Sequence, residues 1–251
     1  MEIFDSMLLS MPIADVSSAF WDSTLPGKAI VILLFIGSAG AWTIMYTKGV
    51  QLRMASRTTQ QFLAAFRAMK NNPTALYARE EEYPATPLND IYQAGCEGLG
   101  YELAARGIDP DDALMDETAS ELHRRLTLNQ LETIRSVVDR NVADEALKLE
   151  GQMGLLATAV SAAPFLGLLG TVWGVMDAFS GMAQSGSAAL SAVAPGISGA
   201  LLTTIVGLIV ALPSMVGYNM LSSHIRQISV QMDNFAQEFT SEIQNTYVIE
   251  G

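Results

Sequence analysis

The sequence predicts an all-α membrane protein: three transmembrane helices whose ends run on as long helices into a cytoplasmic helical domain. Three observations carry that expectation. The 73 residues from Gly151 to Ser223 hold one formal charge, Asp177. The nineteen residues from Ala29 to Thr47 hold none. Twelve of the fourteen lysines and arginines fall between Lys48 and Lys148. The first two provide apolar stretches of the ~20 residues that a bilayer-spanning helix requires. The third orients the chain, because positive residues are retained on the cytoplasmic side.

Taken in order, residues 1–28 form an N-terminal segment on the outer, periplasmic side. It carries Glu2, Asp5, Asp15 and Asp22 but no basic residue before Lys28, and its amphipathic run from Phe4 to Trp21 suits a membrane surface. Residues 29–47 are the first span, with Trp42 and Tyr46 placed for an interfacial belt. A cleaved signal peptide needs a basic start and a small-residue cleavage site, and neither pattern is present, so the span is read as retained.

Residues 48–152 are the cytoplasmic helical domain. Leu52, Phe62, Leu63, Phe66 and Met69 recur at helical spacing from Val50 to Asn71, ahead of Pro73. Glu80-Glu81-Glu82-Tyr83-Pro84 and Pro87 mark a loop, and an amphipathic stretch follows from Leu88 to Arg106. Asp109-Pro110 then opens a long helix with Asp111, Asp112, Asp116 and Glu117 at its positive end. Its apolar face runs through Leu114, Leu122, Leu126, Leu131, Ile134, Val138, Val142 and Leu149. No Gly or Pro interrupts it before Gly151, so it is expected to run on into the second span.

That second span covers residues 153–180, the outer turn 181–194 and the third span 195–221. Residues 222–251 form a C-terminal cytoplasmic helix continuing the third span. Its stripe of Ile225, Ile228, Met232, Phe235, Phe239 and Ile243 is expected to pack beside the internal helices.

The hairpin of the second and third spans is unusual in composition. Gly167, Gly170, Gly174, Ala178 and Gly181 return every three or four residues along one face, and small residues let helix backbones approach closely. Hydroxyls are few: Thr158, Ser161 and Thr171 in one span, Ser198, Thr203, Thr204 and Ser214 in the other. Inside a bilayer each needs a partner, so they should point inward. Pro164 and Pro213 are hinges or kinks whose freed carbonyls find neighbours, two readings that stay open.

Composition also excludes function classes. A net charge of −12 and a pI near 4.5 leave no basic face for nucleic acid. The sole cysteine, Cys96, reads as a small buried helical residue. Gly95-Cys96-Glu97-Gly98-Leu99-Gly100 falls within a helix and lacks the spacing of a phosphate cradle. His123 and His224 stand far apart and outside every span, so neither a metal site nor an intramembrane hydrolase is indicated, and no cofactor is expected.

The hairpin resembles a known family. The run Ala163-Pro164-Phe165-Leu166-Gly167-Leu168-Leu169-Gly170-Thr171-Val172-Trp173-Gly174-Val175-Met176 carries the likeness, with Val193-Ala194-Pro195-Gly196-Ile197, Leu201-Leu202-Thr203-Thr204-Ile205-Val206-Gly207-Leu208, Pro213 and Tyr218-Asn219. Together they resemble the TolQ/ExbB proton-channel proteins, relatives of the flagellar stator subunit MotA. The tail from Met232 to Thr240 is closer to the TolQ pattern than to the ExbB one.

The resemblance implies a homopentamer around a central pore lined by the second and third spans. It also implies two copies of a single-span TolR- or ExbD-like partner held there, whose aspartate exchanges protons. Thr171 and Thr204 then fall on the family's pore threonines, and a hydroxyl suits that role because it can donate to a carboxylate and accept from a carboxylic acid. Thr203, Ser161 and Asp177 are further candidates for the ion path, although Asp177 also reads as an exposed helix-end residue. Gly167, Gly170, Gly174 and Gly207 are candidates for helix packing. One departure stands out: where the family usually reads Ile-Ala-Glu-Ala-Leu, this chain has Ile197-Ser198-Gly199-Ala200-Leu201. That leaves open a sodium-driven or gliding-type variant, or a non-conducting scaffold.

Overall fold

The computed structural model describes residues 17, 19–21, 23–69, 72–81, 83–107, 126–185 and 190–248, with the side chains of residues 185 and 190–192 left aside. Six helices are seen among them: α1 (Leu25–Ala68), α2 (Ala75–Ala78), α3 (Pro87–Ala104), α4 (Leu128–Glu150), α5 (Met153–Ser185) and α6 (Leu190–Tyr247). The only strand-like pairing among the described residues is an isolated parallel bridge between Leu126 and Val248. Three helical stretches are long and apolar enough to cross a membrane: Leu25–Ala68, Leu128–Gln184 and Val193–Tyr247.

The chain divides into two compact units. One contains residues 1–46 and 152–219, the other residues 47–151 and 220–251. The first is held by Ile30 and Leu34 of α1, Ala163 of α5, and Val210 and Ala211 of α6, with Leu166 and Val206 packed against them. Around this small core large apolar side chains stay exposed, among them Phe35, Ile36, Phe165, Val172, Ile205, Ile209 and Leu212. That is the pattern of helices solvated by lipid.

The second unit has an aromatic centre. Phe62 and Phe66 of α1, Tyr92 of α3, and Phe235 and Phe239 of α6 meet with ring centroids 5.2–6.4 Å apart. Gly95 permits this closeness, since a Cβ there would strike the Phe239 ring. Cys96 beside it is fully buried, and burial pushes its thiol well above the usual range, so it remains a protonated packing residue. The tail of α6 therefore packs on the internal helices as its stripe suggests. Tyr247 closes this unit: its carbonyl accepts from Leu126 N at 2.8 Å and its hydroxyl lies 3.4 Å from Thr74 Oγ1.

Two expectations are corrected here. The helix expected to begin at Asp109-Pro110 lies partly outside the described residues, and the described chain does not pass through Leu126 as helix. Instead α4 starts at Leu128 with a capping box: the Thr127 side chain accepts from Gln130 N at 3.4 Å, and Gln130 Oε1 accepts from Thr127 N at 3.2 Å. Nor does α4 run smoothly into the second span. It ends at Glu150, and a turn at Gly151 and Gln152, the latter at φ 70°, precedes α5. The Lys48 ammonium donates to the end carbonyls of Lys148 and Leu149 at 3.2 and 3.1 Å, so the interruption is stabilised at a helix C-terminus, where a cation is favoured. Conversely, the helix expected from Val50 is continuous with the first span, and the third span runs unbroken from Leu190 to Tyr247.

Candidate functional site: a threonine cluster between two membrane helices

The close approach of α5 and α6 begins with absent side chains. A Cβ on Gly207 would lie 2.6 Å from Ala163 O and 3.2 Å from Gly167 Cα. One on Gly167 would lie 2.9 Å from Thr203 O and 3.0 Å from Thr204 Cα. Real side chains essentially never sit so near, so backbone meets backbone at this crossing. One turn along, Gly170 faces the Thr203 side chain, whose Cβ is 2.7 Å from the ideal position, and Gly174 faces Ala200 Cβ at 2.7 Å. A Cβ on Gly196 would lie 3.0 Å from Ala178 Cβ, while one on Gly181 would have nothing within 4 Å among the described residues. Among the described residues the small-residue face thus contacts α6 from Gly167 to Ala178.

Because the helices are so close, three hydroxyls converge. Thr203 Oγ1 donates to the carbonyls of Gly167 at 2.9 Å or Ala200 at 2.7 Å. Thr171 Oγ1 reaches Ala200 O at 3.0 Å and Gly167 O at 3.2 Å, and Thr204 Oγ1 reaches Gly167 O at 3.2 Å. Thr171 and Thr204 are also bonded directly to each other, and Thr171 lies 3.5 Å from the Thr203 hydroxyl. Three hydroxyl protons serve these contacts, and each proton has one primary acceptor at a time, so the network has several proton arrangements of similar geometry. Thr203 is 1% exposed, whereas Thr171 and Thr204 are half-buried. The latter two are therefore partly accessible.

The other candidates stand apart. Ser161 is exposed and bonds back to Ala157 O at 3.0 Å, the local alternative open to any membrane hydroxyl, and Thr158 does the same to Gly154 O at 2.9 Å. Asp177 is exposed on α5, away from the three threonines in the hydrogen-bond network. Pro164 and Pro213 lie inside α5 and α6 without ending either helix. Two members of the site escaped the sequence reading: the Ala200 carbonyl, which no residue type announces, and Gly196, whose contact depends on the pairing with Ala178.

Comparison with known proteins gives this geometry a context. The description "MotA/TolQ/ExbB proton channel family" belongs to a family model that matches residues 108–234, a range containing every threonine of the cluster. This chain belongs to that family.

Relatives within it are the Tol-Pal system protein TolQ of Pseudomonas aeruginosa and the biopolymer transport protein ExbB of Pseudomonas putida. The first is 30% identical over 213 residues, 84% of this chain and 85% of the relative. The second is 31% identical over 207 residues, 82% of this chain and 56% of the relative. TolQ of Haemophilus influenzae is 43% identical over 97 residues, 39% of this chain and 42% of that protein. The MotA/TolQ/ExbB family is one of transport-type membrane proteins rather than an enzyme class, and the three apolar helices fit a multi-pass member of it.

Proposed function

We propose that this chain is the channel-forming subunit of an inner-membrane motor driven by the proton motive force, of the TolQ–TolR or ExbB–ExbD type, which passes force to the cell envelope. Five copies surround a pore that holds two copies of a single-span, aspartate-bearing partner. The chain lies in the bacterial plasma membrane with its N-terminus periplasmic and its C-terminus cytoplasmic. The observation that carries the reading is the half-exposed Thr171–Thr204 pair, anchored behind by buried Thr203.

Each residue has a task in this scheme. Gly167, Gly170, Gly174 and Gly207 set the distance between α5 and α6, and Thr203 donates to one or the other of the two carbonyls behind the pair. Thr171 and Thr204 can turn their protons toward the partner's carboxylate, or turn their lone pairs toward its protonated form, so both states are solvated without water. Asp177 stands on the route by which ions enter from outside, and Pro164 and Pro213 serve as hinges.

Thr171→Ala and Thr204→Val are expected to leave the assembled complex intact while abolishing proton flux in vesicles containing the chain and its partner. Wild-type flux from both variants would sink the reading. The ExbB-type alternative shares this site and differs in cargo. A null strain rescued for envelope integrity but not for nutrient uptake selects the Tol-type role.

A further inference from the structure

A second close approach, outside the threonine cluster, involves Gly199. This residue is buried, and a Cβ there would lie 2.8 Å from Ser23 Cβ, 2.9 Å from Ser23 Cα and 2.9 Å from Ala19 O. Two of these three atoms are backbone, so a side chain could not be accommodated by rotating a rotamer aside. Ala19 and Ser23 are themselves 8% and 9% exposed. The Ser23 hydroxyl is satisfied locally, donating to Phe20 O at 2.9 Å, so the surface it turns to Gly199 is carbon. The stretch is also held from its other side. Thr24 Oγ1 accepts from Gly27 N at 3.3 Å at the start of α1, and the Lys28 ammonium stands 5.9 Å over the ring of Trp21, which is 71% exposed.

The next residue, Ala200, carries the carbonyl that Thr171 of α5 reaches at 3.0 Å, whereas the bond from Thr203 to that carbonyl lies within α6 and moves with it. Hydrogen bonds of this length do not survive a displacement of about 1 Å. A larger move than that is what an untethered side chain at position 199 would force between the third span and the N-terminal stretch. Thr171 would then be left to Gly167 O and Thr204, with a different distribution of protons.

We propose that the N-terminal stretch carrying Ala19 and Ser23 is a strap that clamps the third span at Gly199 and so holds the Ala200 carbonyl on the Thr171 hydroxyl. Gly199 is a positioning residue: it touches no ion, and acts by letting the strap seat. The strap tunes the same proton site advanced above as the channel, and so rests on that reading.

The test uses the chain with its partner in phosphatidylcholine and phosphatidylglycerol vesicles loaded with a pH-sensitive dye, carrying the pair Ser23→Cys and Gly199→Cys. Joined Cβ atoms need about 3.8 Å, roughly 1 Å more than the native gap and shared between strap and span, so a disulfide tethers the strap near its seat while the two reduced side chains, each with its own sulfur to seat, push it further away. Buried Cys96 takes no part.

The expected result is an intramolecular cross-link on oxidation and a several-fold fall in flux when it is reduced, with Gly199→Cys alone low in flux and indifferent to reductant. Failure to cross-link overturns the contact. Flux that is unchanged or higher after reduction overturns the clamp. A wild-type complex that conducts nothing overturns the channel reading and the clamp with it, whereas conducting wild type with redox-indifferent flux overturns the strap alone.

Discussion

The two units solve the same problem, holding helices together, with opposite materials. In one, α5 meets α6 through Gly167, Gly170, Gly174, Ala200 and Gly207, and the large apolar side chains point away. In the other, α1, α3 and α6 meet through Phe62, Phe66, Tyr92, Phe235 and Phe239, all at most 6% exposed. The solvent explains the difference. Between lipid and protein there is no hydrophobic gradient for a phenylalanine to exploit, so association rests on close backbone contact and hydrogen bonds. In water, burying an aromatic ring is worth several kcal/mol and the rings go inside. Hydroxyls follow the same division: Thr59 and Thr86 pair at 2.7 Å inside the aromatic unit, whereas Thr171 and Thr204 pair with one side left accessible.

The comparison can be broken at its strongest point first. Gly207→Leu drives a branched side chain into the Ala163 carbonyl and Gly167, and is expected to abolish recovery of a monodisperse complex in detergent. Gly181→Leu, where an added Cβ meets nothing within 4 Å among the described residues, should purify like wild type. Equal yields from the two would show that close backbone approach is not what joins the spans.

Phe239→Ala comes next. It should cost about 3–5 kcal/mol by removing the ring that touches Phe66, Tyr92 and Phe235, read as a lowered midpoint in thermal unfolding of the purified complex. A midpoint within a degree or so of wild type would remove the aromatic cluster from its central role.

Thr203→Val has the smallest expected effect, about 1 kcal/mol or less, since Gly167 O and Ala200 O retain their helical backbone donors. A much larger loss would mean that hydroxyls, rather than glycines, hold the crossing.

Much of this was legible in the chain itself, for identifiable reasons. The three spans and the Gly167–Gly174 face are local periodicities, and the clustering of Thr171 with Thr204 followed from a family pattern. The start of α4 was also written locally, in Thr127 and Gln130, but a longer apolar stripe running from Leu114 obscured it. The reason for Gly95 lies in Phe239, more than a hundred residues away, and that for Gly199 lies in Ala19 and Ser23. No periodicity reveals a glycine's distant neighbour. Carbonyl acceptors such as Ala200 are silent for the same reason, since every residue has one.

The fastening at Tyr247 bears on how the protein can be handled. Its buried ring, its carbonyl bond to Leu126 and its hydroxyl near Thr74 bring three stretches of chain to one residue. Exopeptidase digestion should be silent through the residues after Val248 and become damaging once it reaches the bridge. Affinity handles and fluorescent fusions belong beyond that point, with the last turn of α6 left intact, because a graft placed even a few residues earlier would unbutton the start of α4.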